Sequence, residues 1–354
     1  MKARIERVRQ RLDKEGVDAL VVDSPWNRRY LTGFTGSAGV VVVDRSAVYL
    51  LTDFRYYDQV RAEAPEVKLV RCDNGVLDGF AQVLGGKGYR RVAFEADHVS
   101  VKTHKQFAEK VQGCEWVPAS GWVEELRCVK DASEIAAIER AVRLADRAFA
   151  YIVDRLKGRT EREIALDLEF FMRKEGAERL AFPTIIASGP NGALPHASPS
   201  DRVVSDGDLV TLDFGCVVDG YCSDMTRTVA IGRADEKQRE VYFLVLSAQK
   251  AGADGVRAGR TGKEVDAAAR RIIEEAGYGE RFGHGLGHGV GLEVHEAPRL
   301  SKLSESVLEP GMVTSVEPGI YISGWGGVRI EDLVVVTDEG CRTLTQSPKD
   351  LIEV

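Results

Sequence analysis

The sequence predicts an α+β protein in two domains, a smaller α/β layer domain over residues 1–125 and a larger domain over 126–354. Three observations predict it. Residues 1 to about 125 alternate short β-branched runs with helical stretches. The remainder repeats the order helix, helix, hairpin twice, a duplication of elements without a residue-by-residue repeat. Each of the two hairpins carries a pair of acidic residues in the same relative arrangement.

The first stretch, MKARIERVRQRL, is an amphipathic helix with Ile5, Val8 and Leu12 on one stripe. It has no apolar signal core, and no later run approaches membrane length, so a cytoplasmic protein without a membrane partner is expected. Strand-like runs follow at 19–22, 39–43, 47–51, 67–70 and 91–94, with helical segments at 56–64, 76–84 and 101–111. The glycines of TGFTGSAG (32–39) neither follow phosphate-binding spacing nor open a helix, so the segment reads as a loop. A boundary falls near 122–131. Asp131 and Glu134 make a capping box for a helix with Ile135, Ile138, Val142, Ala145, Phe149, Ile152 and Val153 inward. Thr160 and Glu163 cap the next helix, which carries Ile164, Leu166, Leu168, Phe171 and Met172 and stops near Gly176. A strand-like run at 182–187 leads into the loop SGPNGALPHASPSDR, which contains His196. Helices at 236–253 and 261–276 separate the two hairpins.

Composition narrows the function. Hydrophobic content of 44% and charged content of 29% suit a globular protein. A net charge of −7 without a basic block excludes nucleic acid as a main partner. Six scattered cysteines without a CxxC pair indicate a reducing compartment, with Cys216 and Cys222 as small buried apolar residues.

The chemistry concentrates in LVTLDFGCVVDGYCSDMTRTVAI (209–231). Asp219-Gly220 supplies the positive backbone angles of a two-residue turn. With that loop Val218 faces Tyr221, Asp213 faces Thr226, and Asp224 is a diagonal neighbour of Asp213 on one face. Near the C-terminus, 313–322 and 328–336 flank a Gly-rich connection at 323–327. With those five residues as the loop, Glu317 faces Leu333 and Glu331 becomes its diagonal neighbour. Buried carboxylates this close repel each other and stay ionised only beside a cation. Between the hairpins, FGHGLGHGVGLEVHE (282–296) holds three of the six histidines. Its alternating glycines exclude a helical zinc motif, at about 1 kcal/mol per glycine in a helix interior. An extended segment that lets backbone approach a metal is expected instead. Four carboxylates with nearby imidazoles suit two divalent ions.

Asp213, Asp224 eleven residues on, His288 in GHGVG, Glu317 in SVEPGIY and Glu331 in RIED closely resemble the ligand series of the pita-bread metallopeptidases. That family includes methionine aminopeptidase, aminopeptidase P, prolidase and the metal-free creatinase. The resemblance covers the whole second domain. The α/β domain before it and the linker LRCVKDASEI are similar to aminopeptidase P, prolidase and creatinase. A creatinase/aminopeptidase-like C-terminal domain with a pseudo-twofold repeat is therefore implied, with two divalent metals bound by those five residues and bridged by Asp224 and Glu331.

The resemblance further implies that Glu317 takes a proton from the attacking water, while His196 and His295 contact the scissile peptide and hold the oxyanion. His284 would line the cleft and help move protons. Arg329 either orients a ligand carboxylate or forms a surface salt bridge, and both readings stand. Arg299 is either the holder of a dipeptide's carboxylate or a rim residue. The activity implied is hydrolysis of the peptide bond before proline in dipeptides or short peptides, by a hydroxide shared between two metals. Mn or Co is expected, with Fe or Zn as alternatives, and a homodimer. The competing readings are an aminopeptidase of broader N-terminal specificity, an organophosphate-type hydrolase, and a non-enzymatic binding module on the same fold.

Overall fold

A computed structural model describes residues 1–73 and 75–354. They divide into two compact units, Met1–Arg127 and Cys128–Val354.

In the first unit, α1 (Lys2–Glu15) buries Ile5, Val8 and Leu12 and stops at Gly16, whose φ of 63° gives the left-handed cap. The chain continues through β1 (Ala19–Val22), α2 (Pro25–Thr32), β2 (Val40–Asp44), β3 (Val48–Thr52), α3 (Tyr57–Glu63), β4 (Lys68–Arg71), α4 (Val76–Val83), β5 (Arg91–Glu95), α5 (Val101–Lys110), β6 (Glu115–Ala119) and α6 (Trp122–Cys128). The strands form one mixed sheet in the order β4-β3-β2-β1-β5-β6. Sequence pattern does not reveal α2 or β6. The helix α2 is short and starts on a Ser24 side-chain cap, and its Arg28 is buried, donating to the carbonyls of Gly36 and Gly39 at 2.9 and 2.6 Å. Pro118 confines β6 to the sheet edge, where a missing N–H is tolerated.

The second unit opens with α7 (Ala132–Ile152) and α8 (Glu161–Lys174), both with complete capping boxes. On α7, Ile138, Val142, Ala145, Phe149 and Ile152 are buried, while Ile135 and Val153 are half-buried. On α8 the stripe is Ile164, Leu168 and Met172, four residues apart on one line. Leu166, expected inward, is 61% exposed, because two residues along a helix is more than half a turn. Then come β7 (Arg179–Leu180), β8 (Ile185–Ser188), β9 (Leu209–Phe214), β10 (Cys216–Val218), β11 (Tyr221–Cys222) and β12 (Met225–Ala230). A second helix pair, α9 (Glu236–Gly255) and α10 (Gly262–Glu275), again begins on capping boxes, Asp235 with Gln238 and Thr261 with Glu264. The chain ends with β13 (Gly287–Gly289), β14 (Glu296–Leu300), β15 (Val313–Val316), β16 (Gly319–Ile322), β17 (Gly326–Arg329), β18 (Asp332–Val336) and β19 (Cys341–Thr343).

Each helix pair covers its own sheet. One core joins α7 and α8 to β8, β9 and β12; the other joins α9 and α10 to the strands from β15 to β18. Full burial of such Ile, Val and Leu side chains stabilises by roughly 1.5–3 kcal/mol each, which fixes the sheets that carry the site.

The first hairpin has the expected register, with Val218 opposite Tyr221 and Asp213 opposite Thr226. The second does not. Ser315, and not Glu317, faces Leu333, and Ile322 pairs with Gly326, so the loop is the three residues 323–325. The ladders on both sides of 317–318 share this register, which sets Glu317 directly opposite Glu331. Gly326 and Gly327 are strand residues because backbone packs against them. A Cβ on Gly327 would lie 2.1 Å from the Gly192 carbonyl oxygen, and one on Gly326 would lie 3.0 Å from that of Gly189.

Candidate metal centre

The five acidic and imidazole side chains reach one place because each sits at or beside a break in a ladder. Asp213 is near the end of β9, Asp224 lies just before β12, and His288 is the centre of β13. Glu317 lies between β15 and β16, and Glu331 between β17 and β18. The two hairpins are stitched together through β12. The Glu331 N–H donates to the Thr226 carbonyl at 3.1 Å, and the Thr228 hydroxyl exchanges hydrogen bonds with the Arg329 backbone at 3.0 and 3.1 Å.

Asp224, His288 and Glu331 each offer a ligand atom, all within 4.8 Å of one another. His288 Nε2 lies 3.7 Å from Asp224 Oδ2 and 3.2 Å from Glu317 Oε1. The other ring nitrogen faces the Gly289 carbonyl at 3.1 Å, an arrangement that aims Nε2 at the carboxylates. Neighbouring donors hold the carboxylates in turn. The Thr226 hydroxyl donates to Glu331 Oε2 at 2.7 Å, Ser315 Oγ to Glu317 Oε1 at 2.9 Å, and Arg329 Nη2 to Asp213 Oδ2 at 2.6 Å. The opposite oxygens, Asp213 Oδ1 and Glu331 Oε1, are buried without a hydrogen-bond partner among the described residues. A buried oxygen left bare in this way is costly unless something else neutralises it.

The electrostatics agree. Burial, then Glu331 and Asp213, push the Asp224 carboxyl well above its ordinary value. Burial, then Glu317 and Asp213, do the same to Glu331. For Glu317 burial also pushes upward, but His288 outweighs it and holds the carboxyl at about 2. Oxygen donors in excess over one nitrogen, with two bare oxygens, fit hard divalent cations.

These groups form the floor of a cavity of about 620 Å³. Phe182, Pro183, Ile185, His196, His295 and Arg299 line it as well. His196 and His295 are exposed, and the His295 ring stands 4.3 Å from that of His288. Although the residue reaches solvent, partial desolvation of its ring in the cleft, with His288 and Arg299 nearby, pushes His295 down to about 4. His284 is half-buried, with Nε2 at 2.9 Å from the Tyr321 hydroxyl and Nδ1 at 2.7 Å from the Gly285 carbonyl. Burial lowers its pKa. Arg299 is exposed, opposite His288 in the β13–β14 ladder. Arg329 is 4% exposed, which leaves no room for the surface salt-bridge reading. Its guanidinium also donates from Nε to Thr226 Oγ1 at 3.1 Å, and from Nη1 to the Tyr321 hydroxyl at 2.9 Å and the Pro195 carbonyl at 3.3 Å.

Sequence reasoning gave Thr226 no role beyond facing Asp213, and passed over Ser315 and Tyr321. The signal was present in strand alternation: Thr226 is two residues from Asp224, Ser315 two from Glu317, and Tyr321 four from Glu317.

The chain resembles known proteins over its whole length. The Xaa-Pro dipeptidase of Pyrococcus furiosus is 39% identical over 356 residues, covering 99% of this chain and 100% of that protein. The structure of an Xaa-Pro dipeptidase from Bacillus anthracis superposes with a TM-score of 0.97 at 45% identity, covering 100% of this chain and 99% of that one. That of an X-Pro aminopeptidase from Thermotoga maritima superposes at 0.93 with 38% identity, covering 99% and 100%. Residues 4–129 match the creatinase/prolidase N-terminal domain and residues 136–338 match metallopeptidase family M24, so this chain, with its pita-bread second unit, belongs to metallopeptidase family M24.

Proposed function

We propose that this protein hydrolyses the peptide bond before proline in dipeptides and short peptides, with two divalent metals held by Asp213, Asp224, His288, Glu317 and Glu331. The observation that carries the reading is the pair of bare buried oxygens, Asp213 Oδ1 and Glu331 Oε1, at the floor of a peptide-sized cleft. The donor set favours Mn or Co, with Fe or Zn as alternatives. When bound, such ions supply Lewis acidity, lowering the pKa of water from ~15.7 to about 7 and polarising the scissile carbonyl.

The chain's own groups do the rest. Ser315 and His288 both contact Glu317 at Oε1, which leaves Oε2 to take the proton of the attacking water. His295, with its pKa pushed to about 4, is neutral at neutral pH and donates a hydrogen bond to the developing oxyanion together with His196. The proton that Glu317 takes from the water goes on to the leaving nitrogen, and His284, held between Tyr321 and the Gly285 carbonyl, lines that path and helps move it. Arg299, at the exposed side of the cavity, takes the carboxylate of a short peptide. Six free cysteines support a reducing, cytoplasmic setting, and we carry the homodimer forward from the family resemblance.

The proline preference rests on the dipeptidase relatives. A second reading, an Xaa-Pro aminopeptidase, is supported by the Thermotoga maritima structure. The test is cleavage of a panel of Xaa-Pro peptides by metal-depleted protein before and after adding Mn(II) or Co(II). Absence of cleavage after metal addition refutes the proposal. Cleavage of Xaa-Pro-Ala at a rate comparable to Xaa-Pro selects the aminopeptidase.

A further inference from the structure

One buried carboxylate shapes the cleft without touching the metal ligands. Glu161 is the first residue of α8, where an acidic side chain ordinarily points to solvent and complements the helix dipole. Glu161 is instead 0% exposed. Its carboxylate accepts six hydrogen bonds from five donor atoms. At Oε1 these come from Ser188 N and Oγ, both at 2.7 Å, and from Asn191 Nδ2 at 3.0 Å. At Oε2 they come from Asn191 Nδ2 and Ser200 N, both at 3.0 Å, and from Ser200 Oγ at 2.5 Å. Burial alone would raise its pKa, but the Ser200 and Ser188 donors outweigh it and hold the group below the ordinary glutamate value.

The donors stand at the two feet of one loop. Ser188 ends β8, Asn191 follows three residues later, and Ser200 is where the chain returns. Arg202 adds a brace, donating to Ser188 Oγ at 2.7 Å and to both oxygens of Asp208 at 2.6 and 2.7 Å. His196 lies between the feet, lines the cavity and makes no hydrogen bond among the described residues, so the backbone of the loop sets where its ring starts from. Above the feet the hydrogen bonds are few, the turns Leu194 N to Asn191 O and Ala197 N to Leu194 O and the Arg329 contact to Pro195, while packing adds residues 189–192 against Gly326 and Gly327 and Ala197 beside Ile185 and Ala187.

We propose that Glu161 is a positioning residue for His196: its carboxylate closes residues 188–200 into a ring that holds the imidazole over the cleft. The inference rests on the role given to His196 above. Glu161→Gln keeps size and shape but turns one acceptor oxygen into an N–H₂ facing the donors of one foot, which opens the ring there.

The test is a double-mutant cycle on the metal-loaded enzyme. Glu161→Gln and Ser200→Ala are each measured alone and combined with His196→Ala, by kcat/KM on an Xaa-Pro dipeptide and by hydrogen exchange. Glu161→Gln is expected to lower kcat/KM by about 10–100-fold, the cost of displacing a catalytic group by about an ångström. Ser200→Ala is expected to lower it less. Neither should lower activity further once His196 is alanine, metal content should be unchanged, and faster exchange should be confined to 189–200. Full multiplication of the two effects, or unchanged protection in 189–200, overturns the proposal. If Glu161→Gln does not fold, the Ser200→Ala cycle decides by the same criteria. A parent enzyme that cleaves no Xaa-Pro peptide refutes the proposed function, while exchange at 189–200 still decides whether Glu161 holds the ring.

Discussion

Replacing Arg329 with lysine keeps a buried positive charge and removes the planar fork that distributes it. The Arg329 guanidinium makes four hydrogen bonds: to Asp213 at 2.6 Å, Tyr321 at 2.9 Å, Thr226 at 3.1 Å and the Pro195 carbonyl at 3.3 Å. A lysine ammonium can replace the Asp213 contact and cannot reach the others in the same geometry. The bonds to Tyr321, Thr226 and Pro195 all come from a charged donor, worth about 1.5–3 kcal/mol for a well-formed one and less for the long Pro195 contact, and their partial replacement by the ammonium puts the loss of orientation at about 2–4 kcal/mol. That range overlaps the 10–100-fold loss of metal affinity typical of residues that orient ligands. Arg329→Lys should therefore bind Mn(II) about 10–100-fold more weakly, read by competition with a fluorescent chelator. Activity should recover substantially at saturating metal, since Asp224, His288, Glu317 and Glu331 are untouched. Arg329→Met should be worse and should also destabilise by about 3–5 kcal/mol, because Asp213 is left as an uncompensated buried charge. Wild-type metal affinity and kcat in Arg329→Lys would refute the view that the fork sets the Asp213 geometry.

Lys130 and Glu296 form an ion pair at 2.7 Å with side chains 1% and 6% exposed, so Lys130→Met should cost about 3–5 kcal/mol in urea unfolding; a loss under about 1 kcal/mol contradicts this. Chelation should lower the thermal midpoint, because metal at about 100 times Kd stabilises by about 2.7 kcal/mol, and Glu331→Gln should greatly reduce the response to added Mn(II). An unfolding transition indifferent to metal in the parent protein would count against the centre. In the first unit, burial pushes the Asp44 carboxyl upward, but Lys87, Tyr89 and the Ser46 and Ala47 amides outweigh it and hold the pKa well below the usual range. A depressed folded-state pKa adds stability that is complete above the unfolded value, near 3.9, and is lost as pH falls toward the folded one. The stability gap between wild type and Asp44→Asn should thus be constant above about pH 5 and shrink on acidification, followed by fluorescence, to which Trp26, Trp116 and Trp122 in this unit contribute. A gap that widens on acidification would reverse the sign.

The parts legible in the sequence are those set by local rules. Asp131 with Glu134 and Thr160 with Glu163 announce helix starts because the cap is written within four residues. The Asp219-Gly220 turn fixes a register, and with it the approach of Asp213 to Asp224. The second hairpin was misjudged by two residues for a physical reason: Gly326 and Gly327 look like turn glycines and are instead strand glycines that admit the backbone of 189–192. That contact comes from a loop more than a hundred residues away, and no local pattern records it. Glu161 was hidden similarly. Its identity suits the first turn of any helix, and only tertiary structure shows that its side chain points inward.

The strongest physical argument for a cation lies in how this fold treats its other buried acids. Besides Glu296, which is paired with Lys130, seven Asp and Glu residues of the second unit are buried: Glu134, Glu161, Asp208, Asp224, Asp266, Glu331 and Asp332. Five are answered by the protein. Asp332 accepts from Arg227, Gln249 and Lys349, Asp266 from both ends of the Arg270 fork, and Asp208 from that of Arg202. Glu161 has its serines and Asn191, and Glu134 has its cap and the Tyr221 hydroxyl. Among the described residues Asp224 has only the His288 ring at 3.7 Å as a close polar partner, and Glu331 has one oxygen satisfied and one bare. Glu331 and Asp332 are adjacent in sequence and equally deep, yet one meets Arg227 and the other meets Asp224. Asp332 is paired directly with Arg227 and Lys349, whereas Glu331, one residue earlier, shares the single Arg329 charge that Asp213 already engages, and a cation from outside the chain would make up that shortfall.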